Sequence, residues 1–130
     1  MNNPALINSL ALAYLGDSIY EVYVREHLLK QNIVKVNELQ KNAVKYVSAK
    51  GQCKYLMSMI DNNFLDDDEL TIVTRARNHK SHTSPKNTDI VTYKYSTGFE
   101  ALIGYLYLDN KKERLDEIIN YILEDYEENI

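Results

Sequence analysis

Two carboxylates stand where a charge is costly. Asp17 lies in the run ALAYLGDSIYEVYV and is the only charged residue between Met1 and Tyr20. Leu12, Tyr14, Leu15, Ile19 and Val22 surround it, and Gly16 beside it permits a close backbone approach. Glu100 lies in YSTGFEALIGYLYL, where tyrosines are the only other ionisable groups, with Gly98 and Gly104 on either side. An ionised carboxylate in apolar company needs a cation or several hydrogen-bond donors. Two explanations compete for Asp17. In one, Gly16 breaks the segment and Ser18 with Glu21 three residues later forms a capping box; in the other, Asp17 belongs to a site. Capping cannot explain Glu100, for which the plain alternative is a partly exposed place on an amphipathic helix. If both segments are helices packed side by side, Asp17 and Glu100 converge on one cation. Oxygen ligands without His or Cys select Mg²⁺ or Mn²⁺ and phosphoryl chemistry over zinc.

The elements that must carry these residues read as helices. Apolar residues recur at three- and four-residue spacing, while four Gly and two Pro in 130 residues leave little turn chemistry. The expected fold is all-α. Pro4 suits a first helical turn, and the first segment continues to about Leu29. A second runs from about Val36 to Ile60, as one helix bent near Gly51 or two in succession. Asp66 followed by Glu69 is a capping pattern that opens a third helix, from Asp67 to about His79. The polar run SHTSPKNTDIV reads as a loop. A fourth helix is expected from about Thr92 to Leu108, carrying Thr97, Glu100 and Gly104 on one face. A fifth is expected from Lys111 to Glu127, capped by Asn110.

Fifteen Lys and Arg against nineteen Asp and Glu give a net charge of −4, which excludes a binder that relies on bulk positive charge. The distribution is uneven. Residues 30–54 hold six Lys and one acid, and residues 71–95 hold Arg75, Arg77, Lys80, Lys86 and Lys94 against Asp89. Five acids without a base fill 61–69, and seven acids against three bases fill 111–130. A polyanion-binding face therefore fits inside an acidic protein, although lysines at helical spacing equally make ordinary solvated surface. The single Cys53 excludes an internal disulfide and fits a reducing compartment. No stretch approaches the roughly 18 apolar residues of a membrane span, and the N-terminus lacks a signal-peptide pattern, so a soluble cytoplasmic protein is expected.

The run LAYLGDSIYEVYV resembles the signature of the ribonuclease III family, and FEALIGYLYLD resembles that family's second acidic motif. With RARNHKS, PKNTD and YKYSTGFEALIGYLYL in the same order, the chain is most similar to the short Mini-ribonuclease III branch, over most of residues 9–108. The resemblance turns Asp17 from cap to ligand. It implies a single catalytic domain over 1–130, homodimeric and with no double-stranded-RNA-binding domain after it. Asp17 and Glu100 would be the catalytic, metal-binding carboxylates, with Mg²⁺ as cofactor and Mn²⁺ as substitute. The implied reaction is hydrolysis of double-stranded RNA to 5′-phosphate and 3′-hydroxyl ends, in maturation of precursor 23S ribosomal RNA, with assistance from a ribosomal protein or assembly factor left open.

Two further acids of the wider family are replaced here by Ala13 and Thr97. Glu21, one turn past Asp17, either adds a ligand or serves as surface or cap. Tyr14 takes the place of the aromatic residue that enters a pocket on the partner subunit, with core packing as the alternative. Arg75, Arg77, Asn78 and Lys80, with Lys86 and Asn87 in the loop, are the candidate RNA-backbone contacts, although Arg75 and Arg77 equally suit bracing of helix ends. A noncatalytic RNA-binding or ribosome-assembly protein on the same fold is the alternative function, and a helical adaptor is a third.

Overall fold

A computed structural model describes residues 3–80 and 88–128. The described residues form six α-helices and no strand: α1 (Ser9–Lys30), α2 (Val36–Val47), α3 (Ala49–Asp61), α4 (Asp67–Arg77), α5 (Ile90–Leu108) and α6 (Lys112–Glu128), preceded by a 3-10 turn at Pro4–Leu6. None is long and apolar enough to cross a membrane. The all-α expectation holds.

Helix α5 is the axis of the molecule. Its sequence is apolar nearly all round, so other elements must cover it on every side. From Ser96 to Leu106 every residue except Glu100 is buried, and α1, α3, α4 and α6 pack around this stretch. Helix α2 is amphipathic; it lays Leu39, Ala43 and Val47 against the core and buries Tyr46. The Tyr20 ring meets Phe99 of α5 edge-on with centroids 4.8 Å apart, joining α1 to the axis.

The capping box at α4 forms as its sequence dictates: the Glu69 N–H donates to Asp66 Oδ1 (2.8 Å) and the Asp66 N–H to Glu69 Oε1 (2.9 Å). The buried Glu69 carboxylate is also gripped by Arg114, Nε to Oε2 at 2.7 Å and Nη2 to Oε1 at 2.8 Å, which pins α6 to the start of α4.

Elsewhere the punctuation differs from expectation. Pro4 is buried in the short turn, and Asn8 opens α1 by accepting from the N–H groups of Leu10 (2.8 Å) and Ala11 (3.3 Å). Helix α1 then runs unbroken through Gly16, so Ser18 and Glu21 form no cap. Of the two readings of the second segment, two helices in succession is the one observed: the break falls at Ser48, whose hydroxyl accepts from the Gly51 N–H (3.1 Å), and Gly51 itself lies within α3. Asn110 does not cap α6. It adopts a left-handed conformation (φ 57°) that ends α5, with the Lys111 N–H donating to the Leu106 carbonyl (2.9 Å). Asn32 and Asn63 take the same conformation beyond α1 and α3, leaving all four glycines within helices.

Candidate active site

Those glycines set how closely the helices approach. A Cβ on Gly16 would collide with the Glu100 carbonyl and lie 2.9 Å from the Gly104 nitrogen; a Cβ on Gly104 would collide with the Leu12 carbonyl and lie 3.2 Å from the Gly16 nitrogen. Helices α1 and α5 therefore cross backbone to backbone at this point, a separation that any larger residue would open. Gly98 plays the same part toward α4, where a Cβ would stand 3.0 Å from the Val73 carbonyl.

The crossing carries Asp17 to Glu100. Asp17 is exposed, Glu100 is the half-buried residue in the otherwise buried stretch of α5, and the two carboxyl groups are close enough to act on each other. Burial is the main force acting on Glu100. Together with the hydrogen bond and charge of Asp17, it pushes the Glu100 carboxyl from 4.5 up to about 8; the charge of Glu21 adds to the rise and a hydrogen bond from Gln52 opposes it. Two carboxylates this close cannot both ionise without compensation. Among the described residues no Lys or Arg is ion-paired with either one.

An uncompensated oxygen-only pair, open to water on the Asp17 side, suits a hard divalent cation that keeps much of its hydration shell. No group of three or more His, Cys, Asp or Glu forms a ready cage among the described residues. Ala13 and Thr97 supply no carboxylate, and the buried Thr97 hydroxyl donates to the Tyr93 carbonyl of its own helix (3.0 Å). Glu21 is engaged by Arg25 at 2.6 Å.

Gln52 was not legible as part of this site. It is 2% exposed on α3 and donates from Nε2 to Glu100 Oε2 (3.4 Å) and to the Val47 carbonyl (3.1 Å). Its one sequence signal is a polar residue in the stripe completed by Tyr55, Leu56 and Met59, where a core residue belongs.

The basic residues separate into two groups. Arg75 is spent on bracing: Nε donates to Ser9 Oγ (3.0 Å), Nη2 to the Ile7 carbonyl (3.0 Å) and Nη1 to the Ala5 carbonyl, tying the N-terminal turn to α4. Arg77 lies over the Tyr95 ring, 5.3 Å from its centroid, with Nε on Asn78 Oδ1 (3.2 Å). Lys80 is exposed just beyond α4. Lys86 and Asn87 lie outside the described residues. Tyr14 is 84% exposed, so core packing within the monomer does not account for it.

The domain brings acidic side chains from two crossing helices to one edge of an all-helical core. Residues 10–111 match the Ribonuclease III domain model. Relatives named Mini-ribonuclease 3 include those of Enterococcus faecalis, 47% identical over 90% of this chain and 89% of the relative, and Brevibacillus brevis, 50% identical over 90% and 86%. The crystal structure of a Fusobacterium nucleatum protein superposes with a TM-score of 0.82 at 34% identity, covering 93% of this chain and 95% of that one. The chain belongs to the ribonuclease III family, in its Mini-ribonuclease III branch, a group of endoribonucleases that hydrolyse RNA.

Proposed function

We propose that this chain is a Mg²⁺-dependent endoribonuclease specific for double-stranded RNA, leaving 5′-phosphate and 3′-hydroxyl ends, and that it acts as a cytoplasmic homodimer in maturation of precursor 23S ribosomal RNA. The observation that carries this reading is the contact between Asp17 and Glu100, two carboxylates from different helices with no cationic side chain ion-paired to them among the described residues. These two residues hold the cation, Mg²⁺ or in its place Mn²⁺. Bound there, it supplies an acidified water and offsets charge on the phosphate and the leaving 3′-oxygen. Glu100 would lose its proton to solvent on taking up the cation, and its half-buried setting strengthens its attraction for a cation once ionised. Asp17, on the open side, faces the arriving phosphodiester.

Arg77, Asn78 and Lys80 contact the RNA backbone with Lys86 and Asn87, while Arg75 acts from behind by fixing the N-terminal turn. Its place over the Tyr95 ring and the hydrogen bond that Nη1 donates to the Tyr95 hydroxyl (3.3 Å) hold the Arg77 fork in one orientation, which favours planar recognition of phosphate. Tyr14, three residues before Asp17 on α1 and almost wholly exposed, enters the partner subunit, and a two-fold dimer then presents one site to each strand of a duplex.

The test is to incubate the protein with a long duplex RNA, the separate strands, and the terminal stem of precursor 23S RNA, in Mg²⁺ and in chelator, and to map the product ends. The duplex and the stem should be cut only with the cation present, to 5′-phosphate and 3′-hydroxyl ends, and the single strands should survive. Duplex binding without cleavage in either Mg²⁺ or Mn²⁺ would overturn the enzymatic reading in favour of a noncatalytic RNA-binding or ribosome-assembly protein.

A further inference from the structure

The corner between α2 and α3 touches the site through one side chain. Helix α2 ends at Val47, and its last carbonyls have no partner further along the helix. Two buried side chains from other helices take them: the Tyr20 hydroxyl of α1 donates to the Tyr46 carbonyl (3.0 Å), and Gln52 Nε2 of α3 donates to the Val47 carbonyl (3.1 Å). The same Nε2 reaches Glu100 Oε2 on α5 at 3.4 Å. Only the NH₂ end of the amide can serve two acceptors, so the Val47 carbonyl fixes which way the Gln52 amide faces. The seat of that amide is specified in turn. Ser48 caps the first turn of α3, and Gly51 lets this turn press onto the end of α2, where a Cβ would collide with the Lys45 carbonyl.

We propose that Gln52 is a positioning residue for Glu100. It fastens Oε2 to the α2–α3 corner, which leaves the rest of the carboxylate to face Asp17. A neutral donor suits this task. Lys or Arg in its place would orient Glu100 as well, but would also neutralise the pair and compete with a cation for it. Gln52 touches neither RNA nor the reacting atoms, and it acts through Glu100. The inference rests on the catalytic role proposed above for that residue.

Two variants test it. Gln52→Met keeps the length and volume of the side chain and removes the donor; Gln52→Asn keeps the amide one methylene short of its acceptors. Each is compared with wild type for kcat and KM on duplex RNA, for Mn²⁺ affinity of the RNA-free protein by calorimetry, and for melting temperature. Loss of a residue that orients a metal ligand lowers activity or metal affinity by about 10- to 100-fold. The expected result is therefore a kcat lowered about tenfold or more, a weakened Mn²⁺ affinity, and a KM for RNA within about twofold of wild type. A folded variant that keeps wild-type kcat and Mn²⁺ affinity while melting earlier would overturn the proposal, leaving Gln52 as a cap for Val47 alone. Should Gln52→Met not fold, Gln52→Asn gives the same readout. Glu100→Gln, run alongside, separates the two levels. If it retains cleavage and Mn²⁺ binding, the role of Glu100 fails and that of Gln52 falls with it; if it is inactive while the Gln52 variants are not, only the positioning role fails.

Discussion

The raised Glu100 carboxyl predicts a pH-dependent stability that Glu100→Gln measures. Burial, then the hydrogen bond and charge of Asp17, push its carboxyl from 4.5 to about 8. The unfolded chain has no such environment, so between these values the folded state holds more protons than the unfolded one. Stability of the cation-free protein must then fall as pH rises through this window, with no contribution from this group below it. At pH 7 the interval above 4.5 is about 2.5 pH units, worth about 3 kcal/mol at roughly 1.36 kcal/mol per unit. Water on the open side of the half-buried carboxyl lowers the expectation to about 2–3 kcal/mol. Glu100→Gln removes the ionisable group and keeps its shape. Urea unfolding of both proteins in chelator, at one protomer concentration, should show near-equal stability at pH 4, a variant about 2–3 kcal/mol more stable at pH 7, and a wider gap at pH 8.5. Adding Mg²⁺ should stabilise wild type and leave the variant almost unchanged. Parallel pH profiles for the two proteins would refute the electrostatic reasoning.

Gly104→Ala forces a methyl group into the Leu12 carbonyl; overpacking of this kind costs about 1–3 kcal/mol, read as a lowered melting temperature, and cleavage should fall because the carboxylates separate. Arg114→Leu strands Glu69, 2% exposed, without its counter-charge; a loss of about 3 kcal/mol is expected in urea unfolding, largely restored by adding Glu69→Leu. Tyr14→Ala should dissociate the proposed homodimer at concentrations where wild type sediments as one dimeric species, with little change in helical content by circular dichroism.

The fold was legible wherever one local rule acted without competition. Asp66 and Glu69 spell their capping box, and the apolar run around Phe99 and Leu106 reads as a helix. Where two rules competed, the sequence was ambiguous. Gly16 read either as a helix breaker or as a place for close backbone approach, and Gly51 as a bend; both sit inside helices with another backbone close by, and only the packing of the folded chain decides between the readings. Asn110 suits a helix start and a left-handed helix end equally, and the close of α5 took it. The pairing of Asp17 with Glu100 was legible as two charges in apolar company sharing one remedy. Bracing by Arg75 was legible only as one of two readings, and Gln52 was not legible at all, since its role depends on which carbonyls the folded chain leaves without partners.

The most direct measurement is single-turnover cleavage of duplex RNA in Mg²⁺ by wild type, Asp17→Asn and Glu100→Gln, each first shown to be a folded dimer. Both variants should bind the duplex and leave it intact. Cleavage at the wild-type rate by either one would contradict the assignment of this carboxylate pair as the catalytic centre.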